Sequence, residues 1–496
     1  MSVLGRNVSA NLLSNLWSVL LALILTPLYV LLLGVESYGL IGFHLSLVAV
    51  LGILDTGISA TAVREIAWLA VRPEGRRTIP DLVFSLEVVY WGIVLMLGVC
   101  GLAAVWFFGA GWFQTKSLAP EVVREALLLM VVSLAIQIPS GLYLGGMVGL
   151  QRQVESSGLA AVFGTVRGAG AIALLWMVSA DIRMFFLWQV VFCIVQTLVL
   201  RNRLWRRIPM EPGAPRLSIK ILSSVKGYAG GMMLIAVSGI AMTQVDKFVL
   251  SKMVTLEALG YYMLAWAAAS GLTRVASPLI QAFSPRFTEL VSEGDETQLE
   301  RQLHLASQLM SVFILPAAAF IAFLAEPIVF AWIGNRSVAV AVAPILSVMA
   351  AGTALSAISY PALSVLYSKK ELRPVIRLSL GSLIVCVPVL IAVVAYFGTM
   401  GAAMFWCGYG IVLYVSCEIL VLRRLASANI PLSVLKDFLA PLAVSATVAA
   451  VAGVLLSHIE GRVTFIAALA ASLMVAWFLA LLACTELRNT VKRSFT

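Results

Sequence analysis

Ionisable side chains inside otherwise apolar stretches are the residues of this sequence that could carry chemistry. Arg167 lies in the glycine-rich stretch GTVRGAG, and Arg274 and Asp55 also fall within long hydrophobic segments. A charged side chain at the centre of a membrane segment costs roughly 2.5–3.5 kcal/mol, so such residues usually face water or substrate. We therefore expect Arg167 and Arg274 to line a cationic cavity. The alternatives are a structural ion pair for Arg167 and a side chain that reaches the membrane interface for Arg274.

A second set of polar residues predicts a wet region and an ion site. Asn11 and Asn15 lie four residues apart on one face of the first apolar segment, and Asn15 and Asp55 fall at similar depth. These three residues predict a polar vestibule, with hydrogen bonding between helices as the alternative. Asp246 and Asp55 are candidates for proton or sodium coupling, and interface packing is the alternative for Asp246. Adjacent helical side chains diverge, so we do not expect Asp246 to pair with Lys247.

Patterns typical of enzymes and metal sites are missing from the sequence. It contains no GxxxxGK[ST], HExxH or GxSxG motif, so we expect no catalytic residues and neither ATP hydrolysis nor covalent catalysis by this chain. The three histidines are scattered and the six cysteines have no CxxC spacing, so we expect no metal and no cofactor. Glu87 and Glu418 lie near segment ends, where we expect them to reach the interface or to pair with loop arginines.

The segments that must position these residues are apolar enough to cross a membrane. The 496 residues are 61% hydrophobic and 12% charged, whereas soluble domains carry roughly 25% charged residues. A helix needs about 20 apolar residues to span a bilayer. The sequence therefore predicts an all-α polytopic membrane protein. Its fourteen transmembrane helices are expected at 12–33, 39–62, 82–108, 126–148, 157–178, 184–200, 228–250, 258–280, 303–324, 341–367, 375–397, 400–422, 437–457 and 463–484.

The basic residues predict the orientation of these helices. The polar stretch 201–226 holds seven of the 34 Lys and Arg residues, and such segments stay on the cytoplasmic side. With both termini cytoplasmic, the cytoplasmic segments collect 25 of the 34 basic residues. The net charge of +10 is then a consequence of topology, with some attraction to membrane lipid, and not a sign of nucleic-acid binding.

Matching positions in the two halves predict a duplication. Glu36-x-x-Gly39 has a counterpart in Glu257-x-x-Gly260, and Pro139 has one in Pro361, at offsets of 221 and 222 residues. We expect two pseudo-symmetric six-helix lobes, an arrangement that suits transporters with a central cavity. The expected domains are an N-terminal lobe at 1–200, a basic cytoplasmic linker at 201–227, a C-terminal lobe at 228–422, and helices 13 and 14 with a cytoplasmic tail at 423–496.

Several longer stretches resemble a known family. The opening NLLSNLWSVLLALILTPLYVLLLGVESYGLIGF and the later LGILDTGISATAVREIA, VDKFVLSKMVTLEALGYYMLA and LPAAAFIAFLAEPIVFAWIG are similar to Wzx-type polysaccharide (O-antigen) flippases. These flippases are polysaccharide biosynthesis proteins of the multidrug/oligosaccharidyl-lipid/polysaccharide (MOP) exporter superfamily. The resemblance covers the first twelve helices and matches the fourteen-span count. Lipid II flippases of the same superfamily carry arginines on the first helix, where this sequence has asparagines.

The resemblance implies a multi-pass protein of the bacterial inner membrane. It would flip undecaprenyl-diphosphate-linked oligosaccharide repeat units by alternating access, for the synthesis of O-antigen, lipopolysaccharide, capsule or exopolysaccharide. Arg167 and Arg274 would bind the pyrophosphate or acidic sugars, with Arg64 at the inner mouth. A polysaccharide polymerase and chain-length proteins would be its partners.

Two other functions stay open. A cation-coupled multidrug exporter of the same superfamily is the first, although such exporters typically have twelve spans and a carboxylate-centred cation site. A membrane polysaccharide polymerase or glycosyltransferase is the second, and it would ordinarily need a sizeable outside loop, which the short loops do not provide.

Overall fold

In the computed structural model of the protein, the regular secondary structure is helical. The described residues are 3–208, 215–219, 222, 242–369, 372–423, 435–456, 459, 461–484 and 487. Among them, β-structure is limited to one isolated bridge between Gln114 and Thr255. The chain forms two units, Met1–Gly260 and Tyr261–Thr496. The prediction of an all-α protein is confirmed.

Unit 1, Met1–Gly260, begins with a pair of helices joined at a glycine. The first helix, α1, runs over Val3–Ala70 and contains Gly34, whose φ of 80° and ψ of 167° break the helical path between the first two predicted spans. A positive φ is costly for a side chain with a Cβ, so glycine suits this connection. The helices that follow are α2 (Pro73–Arg76), α3 (Ile79–Phe108), α4 (Pro120–Gln137), α5 (Pro139–Gly149), α6 (Gln153–Met177), α7 (Ile182–Trp205) and α8 (242–253).

The fourth predicted span is divided by a proline. Pro139 starts α5 directly after α4, because its ring fixes φ and it lacks the amide hydrogen that a continuous helix requires. Around this break, α1 packs on α5 and α6, and α4 packs on α7. Tyr90 of α3 and Tyr143 of α5 are fully buried in a hydrophobic core that also contains Leu142 and Leu204. The helix break therefore lies against the centre of unit 1.

Helix α9, Leu256–Glu293, runs from unit 1 into unit 2. The other helices of unit 2 are α10 (Glu296–Phe323), α11 (Ala325–Ile333), α12 (Arg336–Ile358), α13 (Tyr360–Ser368), α14 (Leu372–Leu422), α15 (Ala440–Leu456) and α16 (Arg462–Ala483), with a π turn at Leu435–Leu439 before α15. Gly398 breaks α14 at a φ of 57°, between the eleventh and twelfth predicted spans. Helix α12 packs on α10 and α14, while α15 packs on α10 and α16.

Helices lie at the predicted spans that the structure describes, but α9, at the predicted eighth span 258–280, is not among those apolar enough to cross a membrane. Ten helices within the described residues are long and apolar enough to cross a membrane. The seventh predicted span, 228–250, lies mostly outside the described residues, as do 209–214, 220–221 and 223–227 of the linker at 201–227. The lobe boundaries and the cytoplasmic placement of both termini stay predictions.

Candidate functional site: polar groups inside unit 1

A cavity of about 270 Å³ lies among the helices of unit 1. Helix α1 lines it with Val48 to Asp55, helices α4 and α5 line it around the break at Pro139, and α7 contributes Gln196. Its polar side chains are Asp55, Gln137, Ser140 and Gln196. Oxygen atoms of a carboxylate, two amides and a hydroxyl therefore face one small volume, and these are the groups that bind water, a proton or a hard cation.

Asp55 is the ionisable group of this cavity. Its Oδ1 accepts a hydrogen bond from Tyr90 Oη over 2.8 Å, so the side chain is held against α3. A Cβ built on Gly141 would overlap the Asp55 carboxylate, which shows how closely the backbone of α5 approaches it. The sequence singled out Asp55 but not Tyr90 or Gly141. Neutral partners carry no charge signal, and they lie 35 and 86 residues away along the chain.

Arg167 lies in a second polar group on the neighbouring helices α6 and α7. Its Nε donates a short hydrogen bond to Gln189 Oε1, and its carbonyl oxygen accepts from Trp188 Nε1 over 2.9 Å. Gln189 itself is only 3% exposed. Within the described residues, no carboxylate lies within salt-bridge distance of Arg167. Its half-buried charge is therefore held by an amide and not neutralised by an anion.

The glycines beside Arg167 allow close packing around it. A Cβ at Gly168 would overlap Leu25 of α1, and one at Gly170 would overlap the Trp188 ring. His44 lies near the guanidinium and is 2% exposed. Neither of its ring nitrogens forms a hydrogen bond with any residue that the structure describes. An uncompensated cation and an unbonded imidazole thus occupy the same part of unit 1.

A polar stripe on α7 connects the two groups. Gln189, Cys193 and Gln196 are spaced by four and three residues, so they share one helix face. The Cys193 thiol lies 3.9 Å from Gln137 Oε1, at the cavity. The spacing is visible in the sequence, and a search for neutral polar residues as well as charges would have found this stripe.

The other predicted site residues have different surroundings. Arg64 has a side chain that is 59% exposed and lies 3.9 Å from Glu65, and Arg274 is exposed on α9 in unit 2. Asn15 is exposed on α1 and, among the described residues, does not line the cavity. Asn11 lies on the same helix, but its side chain is outside the described part of the structure.

The ion pair between Asp246 and Lys247 contradicts one prediction. The Lys247 ammonium lies 2.9 Å from Asp246 Oδ1, and both residues are 1% exposed. The expectation that these neighbours do not pair is wrong, because a long flexible lysine chain can fold back to the preceding carboxylate. Burial then favours the pair, since an isolated charge in an apolar region is far more costly.

Glu87 is buried on α3 and contacts α7. It accepts hydrogen bonds from Arg201 Nε over 3.0 Å and from Trp205 Nε1 over 2.8 Å. Arg201 belongs to the stretch expected as a linker, so the expected pairing of Glu87 with a loop arginine is found, although α7 extends through Arg201. The Glu87 carboxylate fixes two helices to each other.

Ten described helices that are long and apolar enough to cross a membrane indicate a multi-pass membrane protein. The model of the family "Polysaccharide biosynthesis protein" matches residues 4–291, more than half of the chain, and the chain belongs to this family. It is 23% identical over 412 residues to the "Uncharacterized membrane protein EpsK" of Bacillus subtilis (strain 168), covering 80% of this chain and 79% of that protein.

Solved structures of transporters share the fold. The "Lipid II flippase MurJ, inward closed conformation" matches with a TM-score of 0.68 at 12% identity, over 96% of this chain and 98% of that one. An inward-facing multidrug resistance MATE family transporter of the MOP superfamily matches with a TM-score of 0.65 at 14% identity, over 82% and 96%. The family match confirms the predicted relation to polysaccharide biosynthesis proteins, and the ten described helices that can cross a membrane confirm the predicted multi-pass membrane protein. The solved structures show that this chain shares their fold.

Proposed function

We propose that the protein flips undecaprenyl-diphosphate-linked oligosaccharide repeat units across the inner membrane by alternating access. The product would supply the synthesis of a surface polysaccharide such as O-antigen, capsule or exopolysaccharide. Family membership supports the link to polysaccharide, and the fold shared with a lipid II flippase supports transport of a lipid-linked substrate.

The observation that carries the proposal is the state of Arg167. A guanidinium inside a membrane bundle, held by an amide and without a carboxylate counter-ion among the described residues, suits a phosphate or another anion. A pyrophosphate cannot cross hydrocarbon unaided, so a flippase must offer it cationic groups. Arg274 and Arg64 would assist Arg167, and both are exposed and so available to a charged headgroup.

Ion coupling through Asp55 is part of the proposal. Its carboxylate faces the cavity with three neutral polar side chains, where a proton or sodium ion would compensate its charge. Asp246 is the alternative coupling site, although its carboxylate already pairs with Lys247. Asn11 and Asn15 would line the vestibule when substrate enters.

The sidedness of the lipid-linked oligosaccharide tests the function. A deletion strain is probed with a reagent that reaches only the periplasm. We expect the intermediate to accumulate facing the cytoplasm, with loss of surface glycan, and we expect Arg167→Ala to reproduce this defect. An intermediate that reaches the periplasm without being polymerised would contradict the proposal and favour a polymerase. A polymerase and chain-length proteins would act on the flipped product.

A multidrug exporter is the second candidate, favoured by the similarity to the MATE family transporter. Normal surface glycan together with increased sensitivity to cationic dyes in the deletion strain would favour this function. The uncompensated Arg167 opposes it, because a cation in the binding region repels cationic drugs.

A further inference from the structure

Unit 2 contains a group of ionisable side chains that the proposed function does not use. His304, in the first third of α10, is joined through Nδ1 to Asp437 Oδ2 by a short hydrogen bond. Gln308, one turn further along α10, donates from Nε2 to Asp437 Oδ1 over 2.8 Å. Asp437 belongs to the π turn before α15 and is 8% exposed. Two side chains of α10 therefore hold one buried carboxylate.

Two more carboxylates surround the imidazole. On α10 itself, Glu300 Oε1 lies 3.8 Å from His304 Nε2. On α14, Glu418 lies close enough to interact electrostatically with both His304 and Asp437. We refer to His304, Asp437, Glu300 and Glu418 as the His304 cluster. The expectation that Glu418 reaches the interface or a loop arginine did not anticipate these neighbours.

Other titratable and charged side chains lie near the cluster on the segments that pack against it. Helix α14 contributes Tyr414 and Cys417 beside Glu418, and Cys484 at the end of α16 lies near Asp437. On the cationic side, Lys436 precedes Asp437 and is exposed, and Arg301 follows Glu300 along α10. One imidazole thus lies among three carboxylates where the ends of three candidate membrane spans meet.

Charge balance favours proton binding by this cluster. If Asp437, Glu418 and the His304 imidazole were all ionised, these three groups would carry one excess negative charge where three helices pack together. Like charges this close cannot all ionise at low cost, so such groups share protons and titrate together. Among the described residues, no group of three or more His, Cys, Asp and Glu could hold a metal.

The cluster also lies at a junction of three segments. Gln308 Oε1, whose amide holds Asp437, accepts a hydrogen bond from the Leu487 amide over 3.1 Å. The Tyr414 and Phe438 rings pack with centroids 5.0 Å apart, which places α14 against the same π turn. Protons gained or lost here therefore act on the contacts that fasten α15 and the chain after α16 to α10.

We propose that His304, Asp437 and Glu418 form a proton-binding site, with Glu300 at its edge, whose occupancy changes during the transport cycle. Proton binding stands on the cluster alone, whereas its coupling to transport rests on the proposed function. A proton taken up by a carboxylate passes to the imidazole or is shared with it, so only proton positions change and no covalent bond between heavy atoms is broken.

Proton uptake by the purified full-length protein tests the binding site. The protein is titrated between about pH 9 and about pH 4, a range that spans ordinary imidazole and carboxyl titration. We expect His304→Gln and Glu418→Gln each to take up about one proton fewer per chain than the wild type, because each change removes one titratable group. The control is His44→Gln, since His44 is also buried in a span but has no carboxylate cluster. We expect its titration to match the wild type, because a buried imidazole beside the Arg167 cation has no carboxylate among the described residues to stabilise a proton on it.

The same titration can overturn the proposed proton-binding site. If the curves of His304→Gln and Glu418→Gln both overlay the wild type, the cluster does not exchange protons and the proposal is overturned. Glu418→Gln preserves the side-chain shape, so its thermal unfolding midpoint shows whether the fold is retained. Should it unfold early, Asp437→Asn replaces it in the same comparison.

Transport is measured separately in proteoliposomes with and without a pH gradient, using a lipid-linked oligosaccharide. We expect wild-type flipping to respond to the gradient and His304→Gln to lose that response. Equal flipping by the wild type with and without the gradient overturns the coupling. Absence of any flipping, with normal proton uptake, counts against the proposed function and leaves the proton site supported.

Discussion

Gly39 lies directly against the backbone of Gly260. A Cβ on Gly39 would lie 3.2 Å from the Gly260 nitrogen and 2.5 Å from the Leu256 carbonyl oxygen, while a Cβ on Gly260 would overlap the Val35 carbonyl oxygen. Gly39 and Gly260 are 221 residues apart in the sequence, as are Val35 and Leu256. The two segments therefore pack backbone against backbone, and the duplication of the two halves stays a prediction.

Alanine at either glycine should destabilise the protein. We expect Gly39→Ala and Gly260→Ala each to cost about 1–3 kcal/mol, because a methyl group would force two backbones apart. Thermal unfolding of the purified protein measures the effect. Gly271→Ala in α9 is the matched control, since a Cβ there meets no heavy atom within 4 Å. Equal midpoints for all three variants would contradict the close packing.

Asp55 should control coupling through its cavity. We expect Asp55→Asn to abolish the dependence of flipping on an ion gradient, because the neutral amide no longer requires a compensating cation. Gly141→Ala should have a similar effect, since its methyl group displaces the carboxylate. Gly52→Ala is the control, because Gly52 lines the same cavity but has open space at its Cβ. Gradient-dependent flipping by Asp55→Asn would exclude this role.

Arg167 should be needed for substrate transport. We expect Arg167→Ala to reduce flipping at least about tenfold, which corresponds to the loss of about 1.4 kcal/mol of interaction with the substrate anion. Arg167→Lys should retain part of the activity, because the charge remains but the planar donor fork is lost. Arg336→Ala serves as control, since that side chain is 78% exposed. Wild-type flipping by Arg167→Ala would leave the arginine with a structural role.

The buried pair of Asp246 and Lys247 should behave as a unit. We expect Lys247→Met alone to destabilise the protein by about 3–5 kcal/mol, because it leaves a carboxylate buried without its partner. The double change with Asp246→Asn should cost less than the two single changes together, since no uncompensated charge remains. Unfolding midpoints of the single and double variants measure this coupling. Additive effects would mean that the two charges stabilise the fold independently.

Asp181 should make stability depend on pH in the acidic range. Hydrogen bonds from Arg183 hold the pKa of the Asp181 carboxyl below its usual value. A lowered folded pKa stabilises the protein above the unfolded value of about 3.9, and this contribution disappears as the pH falls through the folded pKa. Relative to Asp181→Asn, we expect the wild type to be more stable by about 0.5–1 kcal/mol near neutral pH. This difference in stability should vanish in strong acid. A difference that grows as the pH falls would contradict the prediction.

The helices could be located from the sequence because apolar length is a local property. The predicted span at 303–324 begins inside α10, Glu296–Phe323, and ends at the residue that follows this helix. The predicted breaks near 34 and 398 coincide with Gly34 and Gly398, where the backbone adopts a positive φ. Intramembrane charges such as Arg167 and Asp55 were equally visible, because a charge within an apolar run is rare and costly.

The partners of those charges were not visible in the same way. Arg167 meets Gln189 from the next helix, Asp55 meets Tyr90, and His304 meets Asp437 from 133 residues away. The sequence by itself therefore determined the membrane class, the span positions and the list of costly side chains. Only the tertiary structure decided which of them are neutralised, because burial and charge compensation depend on side chains that distant helices bring together.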